Sequence, residues 1–207
     1  MNTKKKDGVL EMPYIIFLNG PPRCGKDTLG LHLYKSFANV ALVKLSWPLK
    51  RATYIMDPDW PELSDVYTDN KDDKHRALLG DTYREFQIRA SEEWLKPSYG
   101  QDVLGRIAVE WMRNAHHAKI FVITDSGFAQ ETYPITNEFG ANNCLQIQIT
   151  RPESSFDNDS RDYWQRQDVD MALLDNDDGL TIYRERGFDL VEKWIEYRKE
   201  GIKWYRK

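Results

Sequence analysis

The sequence predicts an α/β fold, a doubly wound parallel sheet with helices on both faces, and three observations carry that expectation. Short apolar runs alternate with stretches of helical spacing along most of the 207 residues. That is the pattern of strands joined through crossover helices. The first apolar run, Tyr14-Ile15-Ile16-Phe17-Leu18, breaks at Asn19-Gly20 and re-enters order at Gly25-Lys26. A later run over 120–125 ends in an acid, Asp125, at the kind of strand end where open α/β sheets collect ligands.

Taken in order, residues 14–18 read as a buried strand. Leu29, Leu33 and Phe37 mark an amphipathic helix behind the glycine-bounded loop. Residues 40–45 read as a second strand, closed by Ser46-Trp47-Pro48. Pro48 opens a helix over 49–56, since proline is tolerated in a first turn. Residues 57–73 lose periodicity, carry Pro58, Pro61 and many acids, and read as a surface flap reaching to about 75. From Arg76, the apolar positions Leu78, Leu79, Tyr83, Phe86, Ile88 and Trp94 mark one helix or two, ending near Lys96-Pro97. Asp102 heads a helix to Asn114 with Val103, Ile107, Ala108 and Trp111 as its apolar stripe. After the strand at 120–125 come a helix over 130–139 and a cleanly alternating strand over 145–149, stopped by Arg151-Pro152. The acidic stretch 153–178 holds Arg161 and Arg166, with a short helix expected around 160–167. A final strand over 171–174 precedes the turn Asn176-Asp177-Asp178-Gly179, and a last helix runs over 188–199. Nothing divides the chain, so a single domain over 1–207 is expected.

The balance of 29 basic and 33 acidic residues gives a net charge of -4. That leaves only local patches for nucleic-acid contact. Cys24 falls in the first loop and Cys144 opens a strand, which argues against a structural disulfide and for a reducing compartment. No segment approaches a membrane span, and the basic N-terminus lacks a small-residue cleavage site. A cytoplasmic protein with no membrane partner is the expectation.

Strand, glycine-bounded loop, lysine and helix together make a phosphate-binding loop. Gly20 and Gly25 permit the tight turn that aims successive N–H groups inward, and the helix start adds its positive end. Asn19, Gly20, Pro21, Pro22, Arg23, Cys24, Gly25, Lys26, Asp27 and Thr28 are therefore the expected ATP-binding residues, with Lys26 serving the outer phosphates. A glycine-rich turn with no ligand is the weaker alternative, because strand and helix stand correctly on either side. Asp27 occupies the position after the lysine where most such loops carry the Ser or Thr that touches magnesium. It either holds magnesium through water or faces the acceptor hydroxyl as a base, and Thr28 and Asp125 complete the candidate metal set. Asp125 is expected at the metal or as general base; alone it would read as a turn aspartate. Arg151, Arg161 and Arg166 belong to a lid over about 151–168 whose arginines neutralise the transferring phosphoryl group. Arg161 is the best placed, and salt bridges to the surrounding aspartates are the competing reading. Arg84 and Arg89 are candidates for the acceptor pocket, although a basic helical turn is more often a solvated face.

These residues resemble a family. The loop ending Gly25-Lys26-Asp27-Thr28 resembles that of bacteriophage deoxynucleoside monophosphate kinases. Leu79-Gly80-Asp81-Thr82-Tyr83-Arg84-Glu85, the strand ending at Asp125, Arg151-Pro152 and Asn176-Asp177-Asp178-Gly179 resemble that family's other landmarks. The resemblance implies a P-loop kinase using ATP and Mg2+ in a phage-infected host cell. Where those kinases usually carry Asp-Val-Arg-Phe, this chain has Asp125-Ser126-Gly127-Phe128, so an arginine expected to hold the nucleotide substrate is replaced by Gly127. Asp-Ser-Gly-Phe together with Asp159-Ser160-Arg161-Asp162-Tyr163 is similar to P-loop kinases of phage thymidine-hypermodification pathways. That second resemblance implies phosphorylation of the hydroxymethyl group of 5-hydroxymethyluracil in DNA, with Gly127 opening space beside the strand end. The run 193–207 interleaves bases with aromatics and suits DNA backbone contact and stacking, or else forms a docked terminal helix. A deoxynucleoside monophosphate kinase is the runner-up reading, and a nucleotide-binding switch ATPase the third.

Overall fold

The computed structural model describes residues 12–56, 76–157 and 159–204. The expected flap at 57–75 and the last three residues of the chain lie outside the described residues.

Five strands form one all-parallel sheet in the order β2-β3-β1-β4-β5. They are β1 (Tyr14–Asn19), β2 (Val40–Val43), β3 (Ile120–Ile123), β4 (Cys144–Thr150) and β5 (Asp170–Asp175). The apolar runs are continuous rather than alternating because both faces of a parallel sheet are covered. Successive strand residues point to opposite faces. Ile15, Phe17, Phe121 and Ile123 pack with helices α5 (Val103–Asn114) and α6 (Ala129–Phe139). Ile16, Leu18, Val122 and Leu145 pack on the opposite face against α1 (Lys26–Ser36) and α7 (Leu180–Lys199). The doubly wound parallel sheet expected from the sequence is the fold, and all five strands stand where they were expected.

The helices differ from expectation in ways that shape the site. Helix α2 (Trp47–Met56) starts one residue before Pro48. The stretch from Tyr83 to Tyr99 runs through α3 (Tyr83–Arg89), a π-helical segment (Ala90–Leu95) and α4 (Lys96–Tyr99). Pro97 sits in the first turn of α4, where its missing N–H costs nothing, and so does not end the helix. Helix α7 begins eight residues before the expected 188, directly after Gly179. No helix forms over 160–167. Asn19, Gln146 and Gln148 bond the backbone of Asp162 and Trp164 instead, and these side-chain bonds replace the helical ladder. Among the described residues no helix is long and apolar enough to cross a membrane.

Packing decides between the two readings of the C-terminal run. Trp194 is fully buried and donates to Asp170, and Trp204 donates to the Met171 carbonyl. Tyr197 meets Trp204 edge-on. These rings are committed to the sheet edge, and the docked terminal helix is what forms.

Candidate functional site

The phosphate loop forms at the carboxyl end of β1, as its residues require. Gly25 holds φ at 107°, a left-handed conformation closed to most side chains, and α1 starts immediately after it. No side chain caps α1, so its first-turn N–H groups, which have no intrahelical partner, stand ready for an anion. The loop is braced from behind by Asn176, which donates to the Cys24 carbonyl, and by the Tyr183 hydroxyl, which donates to that of Gly25. The Asn176 turn therefore buttresses the loop. The Lys26 ammonium donates to the carbonyls of Gly20 and Pro21, both at 2.6 Å. Burial lowers its pKa below the ordinary lysine value. Burial also raises the Cys24 thiol, against the opposing pull of Lys26. Cys24 and Cys144 are both free and buried.

Asn19 belongs to the interior rather than to a ligand. Its amide donates to the carbonyls of Ser126 and Asp162, and its oxygen accepts from Gln146 and from the Trp164 N–H. Fully buried and fully bonded, it ties β1 to the loop after β3, to β4 and to the expected lid. The assignment of Asn19 to ATP is corrected on that ground.

The two candidate carboxylates differ in what holds them. Asp125 accepts from the Leu45 N–H at 2.8 Å, the Ser46 N–H at 3.0 Å and the Ser46 hydroxyl at 2.6 Å. Both of its oxygens are engaged in pinning the turn that precedes α2, so its observed work is that of a turn aspartate. Asp27 stands exposed at the mouth of the loop, with one oxygen accepting from Lys44 at 2.6 Å and from the Thr124 hydroxyl at 2.8 Å. Partial burial would raise its carboxyl, but the Lys44 ammonium, its hydrogen bond and Thr124 outweigh that and hold it below the usual carboxylate range. Thr28 lies half-buried in the same helical turn. Among the described residues no group of three or more His, Cys, Asp or Glu is gathered to hold a metal alone. An exposed, firmly anionic Asp27 beside a phosphate loop fits magnesium, which takes one or two carboxylates and fills its other positions with phosphate and water.

The arginines divide. Arg161 overhangs the space between the phosphate loop and the cavity beyond it, bound to Asp159 through two nitrogens at 2.8 and 2.5 Å. Its stem occupies the space beside Gly127: a Cβ there would meet the Arg161 Cδ at 2.4 Å and Cγ at 2.5 Å. Gly127 therefore makes room for Arg161, not for an acceptor, which corrects the expected opening beside the strand end. Arg84 lines the cavity from α3, placed there by a capping box between Thr82 and Glu85 that starts the helix. Arg89 instead pairs with Asp81. Arg151 donates to the Arg23 carbonyl on the outer side of the phosphate loop, away from the cavity. Arg166 is buried against α6, bonded to Thr132 and Thr136, and is no lid residue.

Residues 162–169 are likewise no loose lid. Trp164 is buried, meets Phe17 edge-on and donates its indole N–H to the Ser126 hydroxyl. Residues 151–157 remain mostly exposed.

Beyond the loop lies a cavity of about 420 Å³. Its walls come from the phosphate loop (Arg23, Lys26, Asp27), the turn at 44–46, α3 and the π-helical segment, the start of α6, and residues 159–161. Two of its charged groups, Lys44 and Glu131, are ones the sequence did not single out, and buried Lys96 stands beside Glu131. Lys44 stands at the carboxyl end of β2, one place beyond the strand. Lys96 and Glu131 are each 3% exposed. Lys96 had read only as a helix end and Glu131 lay unremarked in the helix expected over 130–139, and no local pattern joins positions 35 residues apart.

No family model and no curated protein matches the sequence. Solved structures similar to the chain include the protein APE1195, at 14% identity and a TM-score of 0.45, covering 88% of this chain and 97% of that one. A sugar kinase from Janibacter sp. HTCC2649 follows at 10% identity and 0.40, covering 89% and 95%. Thymidylate kinase from Candida albicans stands at 11% and 0.36, covering 88% and 92%. Superpositions this loose carry no argument about activity, which rests on the site alone.

Proposed function

We propose that the protein is an ATP-dependent phosphotransferase whose acceptor is the hydroxymethyl group of 5-hydroxymethyluracil in DNA. ATP lies on the phosphate loop, with Lys26 and the first-turn N–H groups of α1 on its phosphates. Asp27 and Thr28 would hold magnesium, which supplies charge neutralisation on the phosphate oxygens when bound. The acceptor hydroxyl oxygen forms the new bond to the γ-phosphorus as the bond from that phosphorus to the β,γ-bridging oxygen breaks. ADP leaves with that electron pair, and the hydroxyl proton passes to solvent. Little covalent help is needed, so the protein's work is alignment and charge. Arg161 stands between loop and cavity, where negative charge moves during transfer.

The observation that carries the acceptor reading is the interlock of the two loops behind the second resemblance. Arg161, from Asp-Ser-Arg-Asp-Tyr, fills the space left by Gly127, from Asp-Ser-Gly-Phe. Two motifs separated by some thirty residues thus make one cavity wall. That wall pairs its arginine with Asp159 rather than presenting it to a substrate phosphate. A duplex base must be flipped out to reach the cavity, at a cost of a few kcal/mol, so modest, salt-sensitive DNA affinity is expected. A deoxynucleoside monophosphate kinase is the second reading, favoured by Arg84 on the same cavity.

Labelled ATP offered with DNA containing 5-hydroxymethyluracil, and in parallel with free deoxynucleoside monophosphates, tests the proposal. Label in the DNA is expected. Label confined to the free nucleotides would replace it by the second reading.

A further inference from the structure

We infer that Glu131 reads the acceptor, its carboxylate accepting a hydrogen bond from an N–H donor on a neutral ring held in the cavity. This rests on the reading of the cavity as the acceptor site, and it names the ligand chemistry at its inner wall.

Three charged groups stand together there. The Lys96 ammonium lies 2.7 Å from a Glu92 oxygen, 3.7 Å from a Glu131 oxygen and 3.9 Å from the centre of the Phe128 ring. The Lys96 and Glu131 side chains are 2% and 4% exposed, whereas that of Glu92 is 41% exposed. The ammonium has three donors, but at these distances its hydrogen bond goes to Glu92, the carboxylate that water could also serve. The buried one meets Lys96 only through a long contact of 3.7 Å. A buried carboxylate held by one long contact keeps acceptor capacity for a further donor from a ligand in the cavity that it lines.

The position of Glu131 is also fixed from behind. Helices α5 and α6 touch at Gly105, where a Cβ would lie 2.0 Å from the Glu131 carbonyl oxygen. Only a residue without a side chain lets the helices approach this closely, so the start of α6 is held and the carboxyl lines the cavity. The other groups facing it are Lys96 and Glu92 from α4 and the π-helical segment, Asp125 after β3, and Arg161; α5 offers only Leu104 to the cavity. Burial first, and then Asp125 and Glu92 against the opposing pull of Lys96, push the Glu131 carboxyl up to about 7. The group therefore changes charge across the neutral range.

The chemistry selects among acceptors. A uracil-type ring carries an imide N–H on its pairing edge, which a carboxylate accepts. A cytosine-type ring carries a bare ring nitrogen there, which a carboxylate repels. A second phosphate near Glu131, Glu92 and Asp125 would be repelled as well.

The test measures acceptor binding by calorimetry and acceptor KM and kcat in parallel, for the wild type and Glu131→Gln, at pH 6 and pH 8. The probe is an oligonucleotide with one 5-hydroxymethyluracil, or whichever acceptor takes label in the preceding experiment. Wild-type acceptor affinity should rise by about tenfold from pH 6 to pH 8, following ionisation of a carboxyl near 7. Glu131→Gln should lose that pH dependence and raise acceptor KM by roughly tenfold, with the KM for ATP unchanged. Glu131→Asp, which keeps the charge on a shorter arm, should lose affinity yet retain the pH dependence, and it serves if the Gln variant does not fold. An unchanged acceptor KM with an unchanged pH profile in either variant overturns the inference. A failure of 5-hydroxymethyluracil to accept label, with Glu131→Gln still raising the KM of the acceptor that does, overturns the DNA reading and leaves this one standing.

Discussion

The two walls of the cavity are built by opposite means. The phosphate side is one contiguous stretch, residues 20–28, whose shape follows from strand, glycine, lysine and helix start. The acceptor side draws on Arg84, Glu131, Asp159 and Arg161, with Lys96 beside Glu131; these come from four separate stretches of chain and meet only through tertiary packing. The first wall is a local conformational solution to holding an anion. The second is held by buried polar bonds, above all those of Asn19, and by close approaches at Gly105 and Gly127. The difference predicts where substitutions act. On the first wall they should strike chemistry with little effect on fold, and on the second they should move neighbours first.

The largest effect expected here is that of Lys26→Ala. The ammonium that now donates to the Gly20 and Pro21 carbonyls is the point charge that the loop holds at the start of α1 for a leaving phosphoryl group. Its loss should lower turnover by roughly two orders of magnitude or more. The melting temperature should scarcely move, because its bonds are to loop carbonyls that water can serve. Steady-state kinetics alongside a thermal melt checks both halves. Unchanged turnover would remove the phosphate-loop assignment.

Gly127→Ala should produce a smaller, indirect effect. The new methyl group needs the space of the Arg161 stem, and a contact at 2.4 Å cannot stand. Arg161 must swing, carrying its guanidinium off the line between loop and cavity. A fall of about tenfold in turnover is expected. A Gly127→Ala, Arg161→Ala double variant should be no worse than Arg161→Ala alone, because the two changes act through one side chain. Additive losses would show that Gly127 serves the acceptor directly.

The same contrast explains what could be read from the sequence. The sheet was legible because parallel strands buried on both faces are near-continuous apolar runs, and the phosphate loop because its determinants are adjacent. The role of Asp125 was not. An acid at a strand end reads equally as metal ligand or turn residue, and only the three bonds from Leu45 and Ser46 decide its present work. Residues 160–167 look helical by composition because the sequence does not reveal that Asn19, Gln146 and Gln148 will claim their backbone. Glu131 was invisible for a related reason: its character comes from burial beside Lys96, contributed by another helix. Resemblance supplied Gly127 and Arg161 as separate marks, and the fold joins them.

The smallest effect expected lies in the segment 151–169, which the two walls share. A lid that orders throughout on nucleotide binding was the expectation from its charge. The fold divides it. Residues 162–169 hold Trp164 against Phe17 and Ser126, and Arg166 against α6, so this part is anchored to the core at two side chains and opens only with larger units of structure. Residues 151–157 are mostly exposed, and Arg161 is tied chiefly to a neighbour two positions away. Binding a non-hydrolysable ATP analogue places negative charge beside Arg161 and Arg23, which should draw this outer part inward. Hydrogen exchange should slow there by several-fold and remain unchanged over 162–169. Slowing across the whole segment would mean that the Asn19 network opens in the free protein and that both walls are set by the nucleotide. No slowing anywhere would mean that the outer part is a fixed rim, and that Arg161 already stands where the transfer needs it.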